Sequence, residues 1–174
     1  MPTPTYVAIA KTVLSADQTD VTFSAIPSTY TDLLLVISAR SSDTGNVDRL
    51  KITVNASATN YSNNYVYANG TTATAGTLSG GNTYIQMWGI TANGATANSF
   101  GNAEVYLPNY TGSTNKVLSV TGAAENNSAT AYYEGITAGL WSNTSAITSI
   151  TLDPVVGADF KSGSRFDLYG IKNS

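Results

Sequence analysis

A chain of 174 residues with net charge −3, no cysteine and no histidine has no route to disulfides, thiolate catalysis, zinc fingers, histidine-based triads or a haem axial histidine. Only 11% of the residues are charged, less than half the usual share of about 25%. The eight Lys and Arg form no basic stripe, so counterion release gives no strong hold on nucleic acid, and anionic membrane is no better a partner.

Met1–Thr5 carries Pro2 and Pro4 and reads as an extended arm, because proline disfavours helix at itself and at the residue before it. It has neither the basic start nor the apolar core of a signal peptide. Tyr6 to Ala10 leads into Thr12-Val13-Leu14 as strand. Val21, Phe23 and Ala25 alternate with Thr22 and Ser24, giving one apolar face. Leu33 to Ile37 is a continuous apolar run of strand length, expected to be central and covered on both sides. Leu50, Ile52 and Val54 alternate with Lys51 and Thr53, which puts one face in water. Tyr61, Tyr65 and Tyr67 stand in an Asn/Ser-rich stretch that ends at Asn69-Gly70.

Thr71 to Gly81 is small and polar and reads as a mobile loop. Thr83 to Ile90 is strand, followed by Asn93-Gly94 as a type I′ turn. Glu104 to Leu107 is strand stopped by Pro108, and Val117 to Val120 is the next. Tyr132 to Trp141 is a long strand. Ile147, Ile150 and Leu152 lead to a stop at Asp153-Pro154, and Phe166 to Ile171 is the last strand. No apolar run approaches the roughly 18 residues of a membrane span. No window shows a 3.6-residue stripe. The count of about nine to eleven short strands points to an all-β chain, an antiparallel β-sandwich. Residues 6–174 form a single domain in this reading, after an arm at 1–5.

Carboxylates are the one class of side chain here suited to catalysis. Glu104, Glu125, Glu134 and Asp167 could approach through strand register, yet no motif joins them as the flanking pair of a glycosidase. Asp43, Asn46 and Asp48 in one loop, and Asp17 and Asp20 in another, are hard oxygen ligands of the kind calcium takes. Their spacing matches no EF-hand, and such residues commonly just make turns. The chain therefore reads as a non-enzyme without catalytic residues, cofactor or metal. Tyr61, Tyr65, Tyr67, Tyr84, Trp88, Tyr132, Tyr133 and Trp141 fit a core, a subunit interface or a sugar-stacking platform. Tyr65 and Tyr67 share a face if extended. With Trp88 and Tyr132 they are the candidate interface or glycan contacts.

Four segments carry a resemblance. They are Ile26-Pro27-Ser28-Thr29-Tyr30-Thr31-Asp32-Leu33, Leu107-Pro108-Asn109-Tyr110-Thr111-Gly112-Ser113-Thr114-Asn115-Lys116, Gly139-Leu140-Trp141-Ser142-Asn143 and Phe166-Asp167-Leu168-Tyr169-Gly170-Ile171-Lys172. Together they resemble a group of tailed-bacteriophage virion proteins, over nearly the whole chain from Thr5. The resemblance implies a jelly-roll-like sandwich, often a homotrimer, with no enzymatic site to carry over. Similar domains serve as capsid decoration (cement) proteins and at tail-fibre ends. The expectation is a virion protein assembled in the host bacterial cytoplasm, partnered by copies of itself and by the major capsid protein or other virion proteins. On this expectation Pro2 and Pro4 lie in a capsid-contact arm. The alternative is a tail or tail-fibre tip component that binds host surface glycan.

Overall fold

A computed structural model describes residues 5–127 and 132–172. The described residues contain twelve strands and no helix. β1 (Tyr6–Val13), β12 (Arg165–Ile171), β3 (Asp32–Ala39) and β8 (Gly101–Leu107) lie side by side. They continue into β9 (Lys116–Glu125), β10 (Tyr132–Trp141), β5 (Tyr61–Asn69) and β6 (Thr72–Asn82), making one eight-stranded sheet. β2 (Val21–Phe23), β11 (Ile150–Pro154), β4 (Val47–Val54) and β7 (Ile85–Thr91) make the second, four-stranded sheet. All the strand pairings are antiparallel.

The chain crosses between sheets at every connection except β5 to β6, β8 to β9 and β9 to β10. The resulting order, 1-12-3-8 facing 2-11-4-7, is a jelly roll of two four-stranded sheets. The remaining strands are two insertions into it. β5 and β6 form a hairpin between β4 and β7, and β9 with β10 a second one between β8 and β11. Both insertions extend the same sheet, which therefore overhangs the smaller one.

Period-two patterning explains the core. Leu50, Ile52 and Val54 in β4 are buried while Lys51 and Thr53 are half-exposed, as their alternation requires. The inner faces of β3, β8, β9 and β12 contribute Leu33, Leu35, Ile37, Val105, Val120, Phe166 and Leu168 to one cluster. The Leu33–Ile37 run is central, between β12 and β8, but covered on one side only: Leu34 and Val36 are half-exposed on the outer face. A sandwich of two sheets has no third layer to cover that face.

Three further expectations change. Among the described residues the strands number twelve rather than nine to eleven, and Thr71–Gly81 is not a loop but falls largely within β6. Small polar residues fit an exposed edge strand as well as a loop, and the pairing with β5 decides between them. Gly70, with φ 58°, opens the tight turn of that hairpin. Asn93-Gly94 does turn, but neither residue has positive φ, which a type I′ turn demands. It lies in the crossing from β7 to β8, not in a hairpin. Pro2 and Pro4 lie outside the described residues.

β7 sits unusually close to the large sheet. A Cβ on Gly122 of β9 would come 2.8 Å from the Trp88 carbonyl oxygen and from the Met87 methyl. One on Gly139 of β10 would come 2.9 Å from Ile85. Gly89, at φ 120°, turns the β7 backbone where it meets Gly122.

The segments that carry the resemblance converge at one end of the sandwich. The Tyr110 hydroxyl donates to the Pro27 carbonyl, and the Asn109 amide to Asp32 at 2.8 Å. Lys116 is 2% exposed; its ammonium donates to the carbonyls of Gly112 at 2.5 Å, Thr114 at 2.6 Å and Thr144 at 3.2 Å. Burial lowers the Lys116 pKa. The Lys172 ammonium lies 5.7 Å from the Tyr30 ring centre. These motifs close the roll and hold the loops that do so.

Two outcomes follow. Gly122→Ala is expected to lose about 1–3 kcal/mol in urea unfolding, since the Trp88 carbonyl cannot step aside as a side chain can. Lys116→Met is expected to lose at least about 1–3 kcal/mol, because buried carbonyls are left without a donor. An unchanged unfolding midpoint in either variant would contradict the packing described.

Candidate functional site

The overhang brings aromatic side chains together in a row. Tyr65 and Tyr67 are two residues apart on β5, so they share the inner face. Register places Tyr67 opposite Gly135 of β10, and Tyr133 is the next residue on the same face of that strand. Trp88 reaches the row from β7 of the other sheet, its Cβ 3.2 Å from where a Cβ on Gly135 would stand. A larger residue at 135 would push the indole out of the row.

The rings contact one another in sequence. Tyr65 and Tyr67 are 6.1 Å apart, Tyr67 and Trp88 4.4 Å, and Trp88 and Tyr133 5.8 Å with only 10° between planes. Tyr67 and Tyr133 are 5.9 Å apart. All four rings are half-exposed. The Tyr65 ring lies over Gly76, its partner on β6, an aromatic covering the bare backbone of an edge glycine.

Polar groups border the row. Arg49 of β4 is directly opposite Trp88, its guanidinium carbon 5.2 Å from the indole centre. Its Nη1 donates to the Gln86 Oε1 at 3.2 Å. The Asn69 amide donates to the Tyr133 hydroxyl at 2.7 Å. Two buried donors, Trp88 Nε1 and Asn63 Nδ2, meet no acceptor among the described residues. Ring faces beside amide and guanidinium donors suit the two sides of a sugar, apolar C–H faces and hydroxyls.

The structure thus gathers Tyr65, Tyr67 and Trp88, which the sequence singles out. Tyr132 begins β10, and its side chain lies outside the described residues. Tyr133 joins the row instead; its parity with the inward Gly135, Thr137, Gly139 and Trp141 is the signal that finds it. Arg49 comes from a strand far away in sequence, and no local pattern points to it; Gln86 stands two residues before Trp88 on β7.

The other candidates are spread out. Glu104 on β8 and Glu134 on β10 are both exposed, with β9 between them. The Glu125 carboxylate accepts from the Asn127 amide at 2.6 Å, and Asp167 pairs with Arg165 at 2.5 Å. Asp48, 1% exposed, accepts from the backbone amides of Arg49, Val156 and Gly157. Asp17 binds Lys161 and the Ser162 amide at 2.9 Å, and the Lys161 bond foremost lowers its pKa. Asp20 accepts from Thr22 at 3.1 Å. These aspartates tie loops together.

A second surface lies on the outer face of the same sheet. Val66, Val117, Ile136 and Tyr106 are 51%, 51%, 60% and 38% exposed. A groove of about 670 Å³ runs beside Tyr106, Val117, Ala138 and Leu140. A neighbouring hollow of about 600 Å³ is lined by Val66, Ala75 and Ile136. Register joins Glu104, Thr121, Ile136, Val66 and Ala75 in one line across the sheet, so the apolar area reaches β6.

A double-mutant cycle on Tyr67 and Trp88, each changed to Ala, is expected to give a coupling of about 0.5–1.5 kcal/mol in chemical unfolding. Strict additivity would mean that the two rings do not share a contact. No family model matches this chain, and searches of curated proteins and of solved structures returned no match.

Proposed function

We propose that this chain is a structural protein of a tailed-bacteriophage virion, and within it a decoration protein that cements the capsid. The observation that carries the reading is the outer face of the large sheet. Val66, Val117 and Ile136 stand more than half exposed there, beside an apolar groove. Contiguous exposed apolar surface is characteristic of protein contact sites. The four motif segments supply the virion context by resemblance. In this reading the face rests on the major capsid protein, and copies of the chain associate, in threes as the resemblance implies.

Purified protein is expected to bind empty capsids that lack it, saturably and in hundreds of copies per particle. Ile136→Lys is expected to reduce that binding at least tenfold without altering the fold, because it buries an unpaired charge in the contact. Capsids that take up no protein would overturn the decoration reading.

The aromatic row favours a second reading, a tail component that holds host surface polysaccharide. Trp141→Phe leaves Trp88 as the remaining tryptophan, and its fluorescence then reports on the row. Saturable quenching by host polysaccharide, abolished by Tyr65→Ala, is the outcome this reading expects. A flat titration dismisses it.

A further inference from the structure

Two sheets have four edges, and three of them are protected. β2 is only three residues long. β1 carries Lys11 and a bulge between Ala8 and Ala10. β7 is pressed against β9, with Gly122 beneath it. Short length, lysine, bulges and cover are the ordinary means by which proteins keep sheet edges from pairing.

β6 has none of these along most of its length. It runs for 11 residues, Thr72–Asn82, with neither charge nor proline. Its pairing with β5 is regular from Thr72 to Leu78, and the register shift comes only beyond, where Tyr61 pairs with Asn82. Thr72, Ala73, Ala75 and Thr77 are exposed. The neutrality is regional. From Ile52 to Ala103 the chain has no charged side chain, although it carries 19 charged residues elsewhere. β5, β6 and β7 all fall within that stretch.

We propose that β6 pairs with β6 of a second copy of this chain, antiparallel about a two-fold axis, joining two eight-stranded sheets into one. The regular segment Thr72–Leu78 is centred on Ala75, which places Ala75 opposite its own counterpart and Ala73 opposite Thr77. A second copy is the occupant the chemistry selects. An antiparallel edge is self-complementary under a two-fold, as an isologous interface requires. An acidic chain must meet its copy where no like charges face each other, and this edge meets that condition. Ala73, Ala75 and Gly76 are small enough for close approach. The exposed Val66 and Ile136 lie in the same cross-sheet line as Ala75, so pairing brings the two apolar faces edge to edge. If trimers form through another surface, the same edge joins two of them into a hexamer of D3 symmetry.

The chain has no cysteine, so Ala75→Cys introduces a single thiol. Directly opposed residues in an antiparallel pair have Cα atoms about 4.5–5.5 Å apart, within the range a disulfide spans. Mild oxidation is expected to convert most of the Ala75→Cys protein to a covalent dimer. Val156→Cys, at a site 56% exposed and outside β6, in the segment that follows β11 of the other sheet, is expected to react at least tenfold more slowly. Light scattering of the unmodified chain is expected to show an even number of copies. Ala75→Lys, which sets like charges face to face, is expected to halve that number. Equal cross-linking of the two cysteine variants would overturn the pairing. So would an unmodified chain that stays a monomer or a trimer at every concentration, or an assembly that Ala75→Lys leaves intact. Capsid and polysaccharide binding are separate measurements, and their failure leaves this result standing.

Discussion

The approach of β7 to the inserted hairpin β9–β10 is the constraint on which the other features rest. Backbone meets backbone there because Gly122 and Gly139 present no side chain and Gly89 turns the strand away from ordinary geometry. Beneath an alanine the smaller sheet would have to lift, and its apolar face would lose contact with the core. Interiors packed to crystal-like density do not absorb such a shift cheaply. The same seating delivers the Trp88 side chain over Gly135 and into contact with Tyr67. One packing decision thus sets both the thickness of the sandwich and the position of the aromatic row.

The two insertions divide the molecule by role. The eight strands of the jelly roll hold most of the buried aliphatic residues, and their loops are tied by Lys116, Tyr110 and Asp48. The four inserted strands extend the larger sheet past its partner. What the smaller sheet cannot cover, the insertions expose: aromatic rings on the inside, aliphatic side chains on the outside and an open edge at the end. The surfaces proposed to meet other molecules are centred on that extension, with Trp88 and Arg49 of the smaller sheet and Tyr106 of β8 at their borders. The residues behind the virion resemblance belong mostly to the roll and its closing loops, so they speak for architecture more than for a binding task.

The strands were readable where the chain alternates clearly. Leu50 to Val54 shows this, since period-two burial leaves a local record in sequence. β6 was not readable, because Thr, Ala, Gly and Ser in series suit a loop and an exposed edge equally well. Leu33–Ile37 misled in the opposite direction. An apolar outer face signals cover, and here Leu34 and Val36 are left half-exposed among the described residues. Tyr65, Tyr67 and Trp88 were visible as aromatics, but a list of rings contains no geometry.

From the sequence alone came the all-β class, the one-sided strands and the absence of thiol and imidazole chemistry, because composition and nearest-neighbour periodicity are local properties. Only the tertiary structure decided which strands are edges, that Arg49 stands beside Trp88, and that Tyr133 completes the row. Those facts depend on register between segments tens of residues apart. Register is set by the whole set of pairings and by the glycines that let the two sheets close.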